Sequence, residues 1–333
     1  LEESRKFLER KAGHTASGLD HTKSKCCTGD HIKSTSSSID MKSSSSGSGS
    51  GSDIIINNHS SDIVIIPDLN PHTHHHRHHH HPHSISHDTM VSQDRTTITL
   101  SLFEMATIRA RFAIRSFGKA LIKQLEASGY SVRRTLNELE PEVLFTRKEH
   151  VVYALESKIN KVFYHCFEND NFDDSGLMHI LNPMTRCTTR LEEFQRMKLV
   201  EVGNAVDSSH PSFNADFWRF CERKTKELWS QFAWNIEFNS CEEREVFTAS
   251  FLDAAKGVWL LHKLAYSLHP HVVILRVGKG LHIDPIYVEA VPELIDGKLC
   301  STCAQKKVEF LVVPGFQALD KVIKCQVYQH LKC

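Results

Sequence analysis

The sequence predicts a mainly α-helical protein: a helical body with a small C-terminal antiparallel β-sheet, preceded by a disordered Ser/Gly/His-rich linker. Three observations predict this fold class. Over residues 101–268, apolar residues recur every three or four positions, the spacing of one helix face. From 272 to 328 the apolar runs become short and β-branched, as in strands. Before residue 99, polar residues dominate, and such a composition buries too little apolar surface to offset the entropy of folding.

The N-terminal part of the chain is predicted to contain two segments. Residues 1–11, "LEESRKFLERK", place Leu1 and Leu8 seven apart among charges, which is typical of the end of a coiled-coil helix whose body lies upstream. Residues 12–98, which include "SSSSGSGSGS", are predicted to be a disordered low-complexity linker. Because the chain begins with Leu1 rather than Met, the sequence leaves open an upstream segment, including a signal peptide.

The first two predicted helices begin the ordered domain, which is placed at residues 99–329. The first covers 101–128, because apolar side chains recur along one face and Gly129 then supplies a C-cap. The second begins near Thr146 and Glu149, which form a candidate capping box. The apolar side chains that line the second helix are Val152, Leu155, Ile159 and Val162.

Three further helices are predicted after these. Asn182 and Pro183 suit the start of the third, since Asn is a good N-cap and Pro is tolerated in the first turn. Ser240 and Glu243 form another capping box, which begins a fifth helix that runs to about Leu268. The face of the fourth helix is made by Phe213, Phe217, Phe220, Lys224 and Leu228.

The fifth helix is predicted to lie at the centre of the packing. Through "VWLLHKLAY" it is apolar on nearly every side, so Trp259 and Leu261 are expected to be core residues. His262 lies on the same stripe and is interpreted as a hydrogen-bonded core histidine, with a catalytic base as the alternative. Trp259 and Trp218 are likewise interpreted as core residues rather than as platforms for a ligand.

A small antiparallel sheet is predicted after the last helix. Its strands are short, rich in β-branched residues and separated by Gly, Pro and Asp. They are placed at 272–277, 285–291, 307–313 and 321–328.

Two groups of side chains could ligate a metal. The tract "PHTHHHRHHHHPH", residues 71–83, holds nine histidines, but a specific site needs ligands that are held in place by a second shell. We interpret the tract as incidental linker, with weak metal or pH sensing as the alternative. Cys300 and Cys303 form a CxxC that Cys325 and Cys333 would complete as a zinc site, although the second pair has the wrong spacing. No catalytic, cofactor or metal site is predicted.

Composition and missing motifs favour protein partners. Forty Lys and Arg balance forty Asp and Glu, so no overall field attracts nucleic acid or an anionic membrane. The sequence has no GxSxG, GxxxxGK[ST], HExxH or kinase signature, and no basic stripe with aromatics. No apolar run reaches the roughly 18 residues of a membrane span. The missing motifs favour a non-enzymatic protein without excluding catalysis, and the alternative is a metal-dependent enzyme or metal-sensing protein that uses His and Cys residues.

The linker contains one apolar run, "SDIVIIPD" at residues 61–68. Ile63, Val64, Ile65 and Ile66 lie between acidic side chains and could add as a strand to the sheet edge of a partner. The pattern resembles motifs that bind the ubiquitin-like modifier SUMO. A chance apolar run is the alternative, because short apolar runs are ambiguous on pattern alone.

Several blocks of the ordered part resemble a known plant family. They are "FAIRSFGKALIKQLEASGY" (112–130), "LEPEVLFTRKEHVVYALES" (139–157), "FWRFCERK" (217–224), "FLDAAKGVWLLHKLAYSLHP" (251–270), "IYVEAV" (286–291) and "VEFLVVPGFQALDKVIKCQVY" (308–328). The family contains the gravitropic-in-the-light protein and the interactor of IRK, the inflorescence-and-root-apices receptor-like kinase. The resemblance covers about residues 100–329, and its "VWLLHKLAYS" and "VPGF" blocks are the most specific.

This resemblance implies a non-enzymatic plant signalling adaptor that acts in light-modulated gravitropic growth or in receptor-like kinase signalling. It implies a partner in the cytoplasmic part of such a kinase and self-association through an upstream coiled coil. It also implies a cytoplasmic location, with recruitment to the plasma membrane by a partner or a partly nuclear location. The family supplies no catalytic residues.

Overall fold

The computed structural model of the protein describes residues 87–291 and 307–330, apart from 142, 144, 146, 147, 174 and 233–235. Within these residues, helices come first and short strands follow. The helices are α1 (His87–Ala127), α2 (Val132–Leu139), α3 (Lys148–Phe163), α4 (Pro183–Leu199), α5 (Val202–Val206), α6 (Ala215–Gln231) and α7 (Cys241–Tyr266). The strands are β1 (Val273–Leu275), β2 (Val288–Ala290), β3 (Lys307–Val313), β4 (Gly315–Ala318), β5 (Lys321–Ile323) and β6 (Cys325–His330). The predicted fold class, a helical body with small C-terminal sheets, is confirmed.

Helix α1 begins earlier than the sequence pattern predicted. It starts at His87, whereas the prediction placed the helix at 101–128 and extended the linker to 98. Residues 87–98, "HDTMVSQDRTTI", are polar but contain neither Gly nor Pro. Because nothing in them breaks a helix, the helix that starts in the core propagates through them. For residues 87–98 the linker prediction is therefore wrong.

Two of the predicted helix starts show the expected caps. The Asn182 side chain accepts hydrogen bonds from two backbone N–H groups in the first turn of α4. Ser240 Oγ accepts a hydrogen bond from the Glu243 backbone N–H at 3.1 Å. Glu243 Oε2 in turn accepts from the backbone N–H of Asn239 at 2.9 Å, so the box closes one residue earlier than in the usual motif. Thr146, half of the other predicted box, lies outside the described residues.

Helices α1 and α7 form the centre of the helical body. A Cβ atom on Gly257 of α7 would lie 3.1 Å from the Ala110 Cα of α1, so the two backbones approach closely there. Trp259 and Leu261 of α7 are 3% and 0% exposed, which confirms both as core residues. Trp218 is partly buried and packs against the same core.

The strands form two small sheets rather than one. The first has the order β1-β4-β5 and is antiparallel throughout. The second has the order β2-β6-β3, in which β3 pairs with β6 antiparallel but β2 pairs with β6 in parallel. The antiparallel prediction thus misses one pairing. A parallel pair needs a long connection, and the chain between β2 and β6 supplies one that contains three other strands.

Three short elements and one break in a strand were not predicted from the sequence. Helix α2 buries only Val132 and Leu136, and α5 spans five residues, so neither shows a sustained period. Strand β4 was not predicted, and the run at 321–328 is divided at Lys324 into β5 and β6. Elements this short give too few repeats for a periodic signal.

Strand β4 joins the sheets to the helical body. The Phe316 ring packs edge-on against Phe103 of α1, with centroids 5.4 Å apart. A Cβ atom on the preceding Gly315 would lie 2.5 Å from the Ile323 carbonyl oxygen and 2.6 Å from the Cys325 nitrogen. Only glycine fits this approach of three strands, which gives a physical reason for the glycine of "VPGF".

Candidate docking site

The connection between α3 and α4 has two parts that differ sharply in exposure. We call residues 164–173 the anchor segment, because its aromatic side chains and that of Asp170 are buried in the core. Within it, Cys166 and Phe172 adopt positive φ values of 60° and 55°. A bulky non-glycine residue with this backbone is strained and persists only where its surroundings hold it in place.

Side chains from three other parts of the fold donate hydrogen bonds to backbone carbonyl oxygens of the anchor segment. The donor and acceptor pairs are Arg276 to Tyr164, Lys224 to His165, Tyr266 to Glu168, His262 to Asn169 and Arg223 to Phe172. The segment is neither helix nor strand, so its carbonyls lack a regular ladder of backbone partners and these side chains supply donors. The Tyr164 and Asn169 carbonyls also accept from a backbone N–H within the segment. The hydrogen bond from Lys224 to His165 also explains why Lys224, which was predicted on an apolar helix face, is fully buried.

A buried network of charges ties the anchor segment to α4 and α7. Arg190 Nη2 donates to Asp170 Oδ1 at 2.7 Å, and both side chains are at most 5% exposed. Arg190 Nη1 and Lys263 Nζ both donate to Glu193 Oε2, at 2.7 and 2.9 Å. Asp170 Oδ2 also accepts from the His179 backbone N–H at 3.2 Å. The positive charges of Arg190 and Lys263 are therefore balanced by the carboxylates of Asp170 and Glu193, in a place from which water is largely excluded.

The pKa shifts in this network show how the pairs offset burial. Burial alone would raise the pKa of Glu193, but the neighbouring Lys263 and Arg190 lower it below its ordinary value. Burial alone would lower the pKa of Arg190, but Glu193 and Asp170 raise it. Burial lowers the pKa of Lys263, whose ammonium also lies 4.4 Å from the centroid of the Trp259 ring. Pairing thus outweighs burial for Glu193 and Arg190, whereas for Lys263 burial outweighs the pairing with Glu193.

His262 is confirmed as a hydrogen-bonded core histidine. Its Nε2 donates to the Asn169 carbonyl oxygen at 2.9 Å, and its ring centroid lies 4.1 Å from that of Phe172. Burial, followed by the charge of Lys263, lowers the pKa of His262 well below its ordinary value. The imidazole is therefore neutral in the folded protein and holds the strained turn at Phe172.

This neutral histidine should make stability sensitive to acid. Below about pH 6.5 the unfolded chain protonates His262 but the folded chain does not, so acidification favours unfolding by up to about 1.4 kcal/mol per pH unit. We expect the free energy of unfolding to fall less steeply below pH 6.5 in His262→Gln, as measured by urea denaturation at several pH values. Because the chain has 23 histidines, the matched control is His282→Gln, a change at an exposed position that should keep the original slope. Equal slopes in the His262 variant and the original protein would contradict this account.

Beyond the anchor segment, the chain exposes a cluster of apolar side chains. We call residues 177–184 the apolar loop; it runs into the first turn of α4. Leu177, Met178, Leu181 and Met184 are 64%, 40%, 81% and 67% exposed. Exposed apolar side chains gathered in one segment mark an interaction site more often than scattered ones do. The loop backbone is held by Asp170 and by the cap of α4, so the apolar side chains stand on a fixed base.

Of the side chains considered as metal ligands, Cys325 is the one that lies in the described residues. The Cys325 thiol is buried in β6, where it donates to the Leu275 carbonyl at 3.3 Å and accepts from the Gly315 N–H at 3.2 Å. Burial raises its pKa to about 11. In the part of the chain that the structure describes, no three His, Cys, Asp or Glu side chains are grouped to hold a metal ion. The other predicted residues that lie outside that part are Cys300, Cys303, Cys333, the histidine tract at 71–83, and Ile63, Val64, Ile65 and Ile66.

The most specific block of the sequence resemblance is also the block that builds this site. "VWLLHKLAYS" supplies Trp259, His262, Lys263 and Tyr266, all of which contact the anchor segment or its charge network. Asp170, by contrast, belongs to no motif and was missed. Its only signal in the sequence is an acidic residue among aromatics in "CFENDNF", which does not reveal a partner twenty residues away.

Among the described residues, no helix is long and apolar enough to cross a membrane.

Comparison with known proteins supports the resemblance inferred from the sequence. The chain is 28% identical over 222 residues to an Arabidopsis thaliana protein named IRK-interacting protein, an alignment that covers 66% of this chain and 38% of the relative. It is 26% identical over 261 residues to the Arabidopsis thaliana protein named Protein GRAVITROPIC IN THE LIGHT 1, covering 68% of this chain and 45% of the relative. The chain thus spans less than half the length of either relative, and no solved structure matches it. A family model for the GIL1/IRKI C-terminal domain matches residues 274–328, and the resemblance to the gravitropic-in-the-light and IRK-interacting family that was inferred from the sequence is therefore confirmed.

Proposed function

We propose that the protein is a non-enzymatic signalling adaptor whose apolar loop docks on the cytoplasmic part of a receptor-like kinase. The name IRK-interacting protein, carried by one relative, supports the choice of partner. The observation that carries the proposal is the exposure of four large apolar side chains on a loop that a buried charge network holds. In the plant, this docking serves light-modulated gravitropic growth, in line with the name of the second relative.

The geometry of the loop suits docking in two ways. Leu181 is 81% exposed and lies two residues before the start of α4, so its side chain is available to fill a pocket on a partner. Asp170 holds the backbone of the loop at His179, and this reduces the entropy that binding would otherwise have to remove. A pre-ordered apolar loop therefore binds more tightly than the same residues would in a flexible segment.

Two further parts of the proposal concern residues outside the described part of the chain. An upstream coiled coil, of which residues 1–11 are the predicted end, would pair two adaptors and raise their effective concentration at a receptor cluster. The adaptor would then be cytoplasmic and reach the plasma membrane, or in part the nucleus, through its partners. A SUMO contact through Ile63, Val64, Ile65 and Ile66 stays a prediction.

The docking proposal is tested with two exposed leucines. Leu181→Asp places a charge in the apolar loop and is expected to weaken binding to the IRK cytoplasmic part by about tenfold or more, since burying an unpaired charge costs more than about 1.4 kcal/mol. Leu199→Asp is the matched control, because Leu199 is 86% exposed at the end of α4, outside the loop. Isothermal titration calorimetry measures both affinities, and circular dichroism checks that both variants stay folded. Equal affinities for the two variants would remove the loop from the interface, and no binding by the unchanged chain would remove the kinase as partner.

A further inference from the structure

A second exposed apolar surface runs along α1. Ile98, Met105, Ile108 and Phe112 are 62%, 54%, 69% and 74% exposed, and we call them the α1 stripe. Ile98, Met105 and Phe112 are spaced by seven residues, and Ile108 lies three after Met105. These are the a and d positions of a heptad repeat, the pattern that brings two helices together along a narrow seam. The stripe therefore has the spacing of a helix–helix interface.

The stripe is not needed for the fold of its own chain. Phe103, Ala110 and Phe117, which are fully buried, occupy the heptad position on the opposite side of α1. That opposite face meets α7, where Gly257 approaches Ala110 most closely. Helix α1 thus buries one face in the core and leaves the α1 stripe exposed on the other.

The charges beside the stripe are complementary to those of an identical helix. Glu104 occupies a g position and Arg109 the e position of the next heptad. In a parallel coiled coil, g contacts the e position five residues further along the partner helix, so Glu104 of each chain faces Arg109 of the other. A two-fold axis would relate the two identical helices, so this contact would form twice. Glu104 also lies 2.6 Å from Lys321 Nζ within its own chain, and its second carboxylate oxygen can accept from Arg109.

The stripe also has a defined end. The next d and a positions after Phe112 are Arg115 and Lys119, which are charged. Arg115 turns inward and pairs with Glu156 at 3.0 Å. Ser101 occupies the d position between Ile98 and Met105 and is exposed. The apolar contact within the described residues is therefore short, which limits the strength of any pairing.

We propose that the α1 stripe is covered by a second copy of this chain, with two α1 helices packed parallel and in register. A second copy fits better than an unrelated helix, because the flanking charges of α1 complement themselves only in this arrangement. The contact uses residues 98–112 and so is separate from the upstream coiled coil predicted from residues 1–11 and from the apolar loop. The pairing should be weak and concentration-dependent, and it would set the register for any helix that continues upstream.

Charge-swapped variants test both the pairing and its direction. Sedimentation velocity over a concentration series should show that the unchanged chain moves from monomer towards dimer, and that Phe112→Asp stays monomeric. Glu104→Arg alone and Arg109→Glu alone place like charges opposite each other and should also stay monomeric. An equimolar mixture of these two variants places opposite charges at every contact and should recover the dimer. A mixture that stays monomeric, or a dimer that survives Phe112→Asp, would overturn the proposal.

A variant that is expected to strengthen association gives an independent check, because misfolding could not produce that result. Ser101→Leu adds the missing apolar residue at a d position that is exposed in the monomer, so it should shift the dimer to lower concentration without lowering the melting temperature. The matched control is Ser116→Leu, which adds the same side chain at an exposed e position beyond the end of the stripe and should leave the association unchanged. Equal association by Ser101→Leu and the unchanged chain would contradict the proposed seam. None of these measurements uses the kinase, so their outcome is independent of the docking proposal.

Discussion

Replacing Trp259 with Ala is expected to lower the free energy of unfolding by about 3 to 5 kcal/mol. The indole is 3% exposed in the middle of α7 and stacks on Phe172, with centroids 6.0 Å apart. It also packs against Phe217 and Phe220 of α6, at 5.9 and 5.3 Å. Removing it opens a cavity where α6, α7 and the anchor segment meet, and it takes away the ring over which Lys263 lies.

Urea denaturation followed by circular dichroism measures this loss directly. Trp229→Ala is the matched control, because Trp229 is only partly buried at the edge of the same core and should cost clearly less. If Trp259→Ala leaves the midpoint and the slope of the transition unchanged, α7 is not the central helix of the fold.

Replacing Asp170 with Ala should cost about as much, roughly 3 to 5 kcal/mol, because it removes one partner of a buried ion pair. Arg190 would lose its 2.7 Å contact with Asp170 in a place where water cannot take over. The backbone N–H of His179 would lose its acceptor as well. The damage should therefore reach both the core and the base of the apolar loop.

An exposed ion pair of the same chemistry serves as the control for this prediction. Arg134 and Glu138 pair at 3.1 Å on α2 with 83% and 64% of their side chains exposed. Such a pair contributes about 0 to 1 kcal/mol, so Glu138→Ala should barely move the unfolding midpoint. If Asp170→Ala costs no more than Glu138→Ala, the buried network does not stabilise the fold in the way described here.

Local signals in the sequence predicted the parts of this fold that depend on neighbouring residues. The apolar repeat of α7 placed Trp259 and His262 in the core, and Asn182 and Ser240 marked real helix starts. Each of these features depends on contacts within one or two turns of the chain, or on one face of one helix. A periodic pattern records such contacts directly.

Contacts between distant residues could not be predicted in the same way. The pairing of Asp170 with Arg190 joins a buried irregular segment to a helix, and neither residue differs in sequence from an ordinary surface charge. The parallel pairing of β2 with β6 depends on where three intervening strands lie, which the strand pattern does not encode. The start of α1 at His87 depends on the absence of helix breakers rather than on any apolar period.

The position of Phe316 has a consequence for how the family region should be divided from the rest of the chain. The region matched by the family model begins at 274, yet the Phe316 ring within it packs on Phe103, Tyr164 and Phe167 of the preceding helices and connection. Arg111 of α1 donates to the Pro314 and Lys324 carbonyls on either side of β4 and β5. A domain border placed at residue 274 because similarity begins there would therefore separate side chains that pack together in one core. If the strands were excised at that border, they would lose the helical side chains on which Phe316 packs, so the family region completes a larger unit rather than standing alone.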